Sequence, residues 1–271
     1  MMFRIMSALA VLLSLSLPVG CAVARADDRS PRLVWVNAFA VAHPDYRVIH
    51  EKIPRPRHDD RSIEIPLEAR WPNPTLTVDT RGRRDAVLRA TPQGEVEAPQ
   101  ATPWRLTNLL RAVGHSSGRP DVAAAANLLK TLRDADVRVL AVVEFAKPLP
   151  EDDVRALWPF QIDVGLFSPA QLMPVAWDYS GRCDAKGFDA CKLGVKDSLA
   201  GEFAAWVALL TSEDQQALSS FGLDLAALEA SAQQGVYHGM VLNAYPERLL
   251  PLTEASEIAS VRIADVALVD Q

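Results

Sequence analysis

The sequence predicts an α+β protein whose ordered part is two β-α-β units separated by an inserted helical segment. Three observations predict it. Period-2 and period-3.6 apolar patterns alternate through residues 120–271. Helix start and stop residues punctuate those patterns. A close pair of cysteines, Cys183 and Cys191, falls inside the insertion, between the second and third predicted strands.

The chain opens with Arg4 and an apolar stretch from Ile5 to Val19, which Pro18 and Gly20 close before an Ala24-Arg25-Ala26 cleavage pattern. Charged, apolar and small-residue parts in that order make a secretory signal peptide over residues 1–26. The apolar run is shorter than the ~20 residues that span a bilayer. Cys21, preceded by Val19-Gly20, resembles a bacterial lipoprotein box, although Pro18 replaces the usual leucine-like residue. The expectation is export to the cell envelope or beyond, by cleavage after Ala26. The alternative is membrane attachment through lipidated Cys21 or a retained 5–20 segment.

Without Arg4 and Arg25 the mature chain carries 26 basic and 34 acidic residues, which disfavours nucleic acid as a partner. The charge is uneven: residues 27–119 hold 15 basic and 12 acidic residues, residues 120–271 hold 11 and 22. Ten of the nineteen prolines lie between Pro31 and Pro103. These shifts place a domain boundary near Gly118-Arg119-Pro120.

Within 27–119, Leu33 to Phe39 reads as a strand, and Ser62 to Leu67 and Thr75 to Val78 as further extended runs. Pro54, Pro56, Pro66, Pro72 and Pro74 confine them to short or edge strands. Pro103 to Val113 reads as a short helix. The expectation is a small β-rich or partly irregular region.

Within 120–271, Asp121 caps a helix with apolar positions Val122, Ala125, Leu128, Leu129 and Leu132. Val137 to Phe145 is apolar on nearly both faces, hence a central strand. Pro148-Leu149-Pro150 introduces a helix led by Glu151, Asp152 and Asp153, which suit the positive end of the helix dipole. A strand follows near Gln161 to Phe167. After the cysteine pair, Leu199, Phe203, Trp206, Val207 and Leu210 recur at helical spacing. Thr211 or Ser212 caps the next helix, and Asp224 starts a third that Gly235 ends. Val236 to Leu242 alternates as a strand, Pro246 opens a short helix kinked at Pro251, and Ile258 to Val266 closes the fold as a strand. Two such units build a ferredoxin-like sandwich, one antiparallel sheet with helices on one face. In an oxidising compartment Cys183 and Cys191 would close a disulfide around Asp184 to Ala190.

The segment Val139 to Leu149, a strand ending in Phe145 followed by Lys147-Pro148-Leu149, resembles the opening of the sigma-factor-regulator C-terminal domain. Tyr237 to Val241 with Ile258 to Val261 is similar to the closing unit of such extracytoplasmic sensors, and also to the ferredoxin-like propeptides of subtilases. The resemblance implies an external sensing or protein-binding module. The sequence departs from the regulators in having a signal segment directly before the domain, without their cytoplasmic half and span.

Candidate chemistry is sparse. His43, His50 and His58 with Asp45, Asp59 and Asp60 are the densest group of metal-ligand types, but Arg47, Lys52, Arg55, Arg57 and Arg61 would repel a cation. His115 beside Ser116-Ser117 lacks a G-x-S-x-G elbow. Asp184 and Asp189 fit a calcium loop poorly, with Lys186 at a ligand position. Trp35, Trp71, Trp104, Trp158, Trp177 and Trp206 suit a core better than a cleft. Neither G-x-G-x-x-G nor a P-loop occurs, so no cofactor is expected. No residue is assigned a catalytic, cofactor or metal role. The expected function is a non-enzymatic sensing or binding module whose partner is another envelope or extracellular protein. A partner or inhibitor of an exported protease and a secreted hydrolase are the alternatives.

Overall fold

The computed structural model describes residues 31–49, 62–70, 83–90, 96–97, 104–115, 119–168, 173–178 and 198–269. The signal segment, Cys21, Cys183, Cys191, the Thr75 to Val78 run, His50, His58, Asp59, Asp60 and Ser116-Ser117 lie outside the described residues.

The chain is α+β, with two antiparallel sheets. The first is a meander of β1 (Tyr46–Val48), β2 (Ser62–Ala69), β3 (Arg83–Ala90) and β4 (Val96–Glu97). Tyr46 faces Ala69 and Ile65 faces Ala86 across its ladders. The second sheet runs β7 (Ala176–Asp178), β6 (Val164–Leu166), β8 (Val236–Ala244), β5 (Val137–Pro150), β9 (Ile258–Leu268), each strand antiparallel to its neighbours.

One prediction is overturned at the start of the described chain. Leu33 to Phe39 is not a strand; it lies in helix α1 (Pro31–Ala42). A continuous apolar run has no period to read, so strand and buried helix look alike. Pro31 at the first helical position favours the helix. Val34, Val36, Ala38, Phe39 and Val41 are all buried, as a helix enclosed on most sides requires.

Helix α2 (Arg105–Arg111) starts where its sequence signals do: the Thr107 hydroxyl accepts from the Trp104 amide at 3.0 Å and donates to Asp45 Oδ2 at 2.5 Å. Helix α3 (Arg119–Leu132) starts earlier than predicted, so Asp121 sits inside its first turn rather than capping it. Between β5 and β6 lies α4 (Glu151–Leu157). Helices α5 (Leu199–Val207), α6 (Gln215–Ser220) and α7 (Leu225–Gln234) fill the insertion. The Asp224 carboxylate caps α7 by accepting from the Ala227 amide at 2.9 Å, and Gly235, at φ 59°, ends it in the left-handed region. Helix α8 (Pro246–Leu249) tightens into a 3-10 turn over Leu250–Thr253, which takes the place of the predicted kink at Pro251.

Alternation along β5 splits the core. Leu140 and Val142 join Val164, Leu166, Val241 and Ala264 under Leu106 and Leu110 of α2 and Val113 of the turn after it. Val139, Ala141 and Val143 join the larger cluster, with Leu129 of α3, Val154 of α4, Trp206 of α5 and Leu249 of α8. Helices therefore cover both faces, α3, α4, α5 and α8 the one and α2, from before residue 120, the other, because a strand apolar on both sides must be shielded on both. Phe39 of α1 and Tyr46 of β1 belong to the larger cluster too, so residues on either side of Arg119 share a core. A buried Arg70–Asp178 ion pair ties β2's end to β7, and the Arg70 Nε donates to the Pro44 carbonyl at 2.7 Å.

Candidate functional site

Where β5 turns into α4, an open pocket of about 510 Å³ is walled by Glu151, Arg155, Trp158, Pro159, Phe160, Gln161, Ile162, Leu199 and Tyr237. That volume lies within the range of small-molecule sites. Local chemistry explains how each wall is set.

Pro150 holds an extended conformation at the N-cap of α4, so Glu151 becomes the first helical residue, where the helix dipole favours a carboxylate. Four residues on, one turn away, Arg155 donates through Nε (3.1 Å) and a terminal nitrogen (2.7 Å) to Glu151 Oε1. The other oxygen, Oε2, accepts from the Ser198 hydroxyl at 2.7 Å. That same hydroxyl caps α5 by accepting from the Gly201 amide at 2.9 Å. One carboxylate is thereby fixed between the starts of two helices.

The aromatic side is fixed as well. The Trp158 indole N–H donates to the Gln161 carbonyl at 3.1 Å, closing the turn that carries Phe160. The Trp158 and Phe160 rings meet edge to face at 5.1 Å. Phe160 stays 46% exposed, one of few large apolar side chains so displayed among the described residues. The Arg248 guanidinium sits 4.5 Å from its ring centroid.

Tyr237 is fully buried and packs on Phe167 at 4.8 Å, which in turn stacks on Phe203. Gly165 makes room for it: a Cβ there would stand 2.7 Å from Tyr237 Cε1. The Tyr237 hydroxyl has no well-formed hydrogen bond among the described residues. Burial pushes its pKa far up, and the nearby Glu151 carboxylate pushes it further, more than Arg155 pulls it down. The Glu151 carboxylate and the Ala200 backbone also bear on the hydroxyl as hydrogen-bonding neighbours, the first raising its pKa and the second lowering it. The group is a neutral hydroxyl at any physiological pH.

Two other polar clusters are structural in form. Glu144 Oε1 accepts from the Gly114 amide at 2.8 Å, and Oε2 from the Ser260 hydroxyl at 3.2 Å and Arg262 at 3.4 Å. His238 is held below its ordinary pKa by burial, which the Glu144 carboxylate partly offsets. His43 packs on Phe39 at 4.6 Å; burial and Arg111 lower its pKa against the pull of Asp45.

The sequence candidates scatter. His43 and Asp45 lie together beside α2, while His115 is exposed after it, its Nδ1 at 3.3 Å from the Val113 carbonyl. Among the described residues no three His, Cys, Asp or Glu side chains come together as a metal site, and no helix is long and apolar enough to cross a membrane. Trp158, Trp177 and Trp206 are core, as expected, and Trp158 also lines the pocket. Glu151, read as a helix-start residue, is also a pocket wall. Phe160 and Tyr237 were not anticipated: Tyr237 looks like any inward residue of an alternating strand, and only the aromatic pair around Pro159 gave a local signal. Comparison with protein-family models, curated proteins and solved structures finds no match to this chain.

Proposed function

We propose that this chain is an exported, non-enzymatic sensing or binding module and that the pocket beside α4 is where it binds. The carrying observation is the Tyr237 hydroxyl, buried on the pocket wall with no well-formed hydrogen bond although Glu151 and the Ala200 backbone stand beside it. A buried polar group left unmade costs about 1–3 kcal/mol, and a ligand that completes it explains why the cost is borne. Other buried polar atoms lack partners too, Trp206 Nε1 and Arg262 Nε among them, but neither residue lines the pocket. The fixed Glu151 carboxylate, engaged by Arg155 and Ser198, suits recognition, since its oxygens are already committed to holding the site's shape.

A ferredoxin-like reading of the second sheet supports the sensor-module assignment. Taking β5, β6, β8 and β9 as strands one to four, the order β6-β8-β5-β9 is the 4-1-3-2 order of two split β-α-β units read from the β9 edge, with α4 and α8 as the crossovers and β7 added at the other edge. Export rests on the leader pattern of residues 1–26, and the Cys183–Cys191 disulfide on the oxidising compartment that export implies.

The test is a two-dimensional NMR screen of the folded chain with small aromatic fragments of mixed charge. Saturable shifts confined to Trp158, Phe160, Leu199 and Tyr237 are expected. Fragments that shift nothing there, or that shift another surface instead, overturn the assignment.

A further inference from the structure

Given that the pocket is a ligand site, we propose that it takes an organic cation: an ammonium or guanidinium group carried on an apolar body. Four observations converge on that chemistry.

Three aromatic side chains, Trp158, Phe160 and Tyr237, line one space. Aromatic faces are electron-rich and attract cations, most strongly when water is excluded. Phe160 already demonstrates the affinity, since the Arg248 guanidinium lies over its ring at 4.5 Å. Tyr245 extends that arrangement, with Arg248 also 6.0 Å from its ring.

Charge on the wall has a definite sign where it matters. Glu151 and Arg155 are paired, yet at the Tyr237 hydroxyl the carboxylate's influence exceeds the guanidinium's. An anion brought to that hydroxyl would stand beside Glu151 and be repelled. A cationic N–H brought there is attracted by Glu151, and the hydroxyl oxygen, which makes no well-formed hydrogen bond, can accept from it.

Approach is favoured from outside as well. Asp152 and Asp153, in the same first turn as Glu151, are exposed. Residues 120–271 carry twice as many acidic as basic residues, so the local field concentrates cations. The rim's own cations are engaged in the fold: Arg155 on Glu151, Arg248 on Phe160.

The chemistry fits two sources, a free amine or a lysine or arginine side chain of a partner protein, and one titration series separates them. Isothermal titration of the full chain is run with phenethylammonium and benzyltrimethylammonium, with a Phe-Arg dipeptide amide, and with phenylacetate and 2-phenylethanol. The Trp158 indole resonance reports the site. The cations are expected to bind at least about tenfold more tightly than phenylacetate. Glu151→Gln is expected to cut cation affinity about tenfold and to weaken 2-phenylethanol far less. Phe160→Leu, at a half-exposed position that tolerates exchange, is expected to weaken benzyltrimethylammonium several-fold. A tighter dipeptide assigns a protein partner; tighter simple amines assign a free ligand. Phenylacetate or 2-phenylethanol binding as tightly as the cations, or folded Glu151→Gln and Phe160→Leu proteins with unaltered cation affinity, overturns the charge assignment while the pocket remains a ligand site. A Trp158 signal that no probe moves overturns both.

Discussion

The Gly114 amide donates to Glu144 Oε1 across 2.8 Å, so the turn that ends α2 is bolted to β5 by a single buried carboxylate. Ser260 and Arg262, neighbours on β9, converge on the other oxygen. The register places Glu144 opposite Ser260, which puts both side chains on the α2 face of the sheet.

Glu144→Ala therefore strands a backbone amide, a hydroxyl and a guanidinium at once. A loss of about 3–5 kcal/mol is expected, the usual cost of removing one partner of a buried charged pair. Glu144→Gln keeps an acceptor for Gly114 and should lose less. Urea unfolding midpoints for the three proteins measure it, and equal midpoints for Ala and Gln would show that the carboxylate does not organise the cluster.

The Arg70–Asp178 pair links β2 to β7 at side-chain exposures of 9% and 6%. Arg70→Ala leaves Asp178 charged in a dry environment and should cost about 3–5 kcal/mol. Arg70→Met combined with Asp178→Leu removes both charges and should recover most of that loss. A double variant no more stable than Arg70→Ala would contradict the account.

Gly239 is required by packing rather than by conformation. A Cβ there would stand 2.4 Å from the Val143 carbonyl oxygen, and a backbone atom inside a ladder cannot swing aside. Gly239→Ala should destabilise by about 3 kcal/mol, the upper end of overpacking costs. Thermal unfolding reads it, with an unchanged midpoint as the contrary result.

Stability should also fall on acidification. Burial lowers the pKa of both His43 and His238 in the folded chain. As pH drops below 6.5, the ordinary value, the unfolded chain takes up protons first, and folding loses stability until pH passes the folded values. Asp163, whose carboxyl is pushed up by burial, acts in the opposite sense from pH 3.8 upward. The histidine contribution is therefore the difference between wild type and His238→Asn or His43→Gln, measured as unfolding midpoint against pH. Parallel curves would contradict it.

The second half of the chain was largely legible. Helices with a capping residue and a stop, such as Asp224 to Gly235, sit where their signals place them, because the signals act locally. The three-residue strand β7 was missed, since Ala176-Trp177-Asp178 is too short to carry a period. Helix α1 was misread because PRLVWVNAFAVA is apolar all round. Pro148 concealed the length of β5, whose ladder with β8 skips from Glu144 to Leu149 before resuming. The pocket was the least legible feature. Glu151, Phe160 and Tyr237 are brought together by strand pairing across a long insertion, and no local pattern encodes that meeting.

Tyr237→Phe tests the central claim most directly, because it deletes one oxygen from the pocket wall and nothing else. If that hydroxyl is kept for a ligand, the variant's unfolding free energy equals or exceeds wild type by up to about 1 kcal/mol, while phenethylammonium, whose N–H groups can donate to it, binds several-fold more weakly. A variant that is clearly less stable yet binds the probe with unchanged affinity would show that the hydroxyl serves the fold, and the pocket would lose its claim to function.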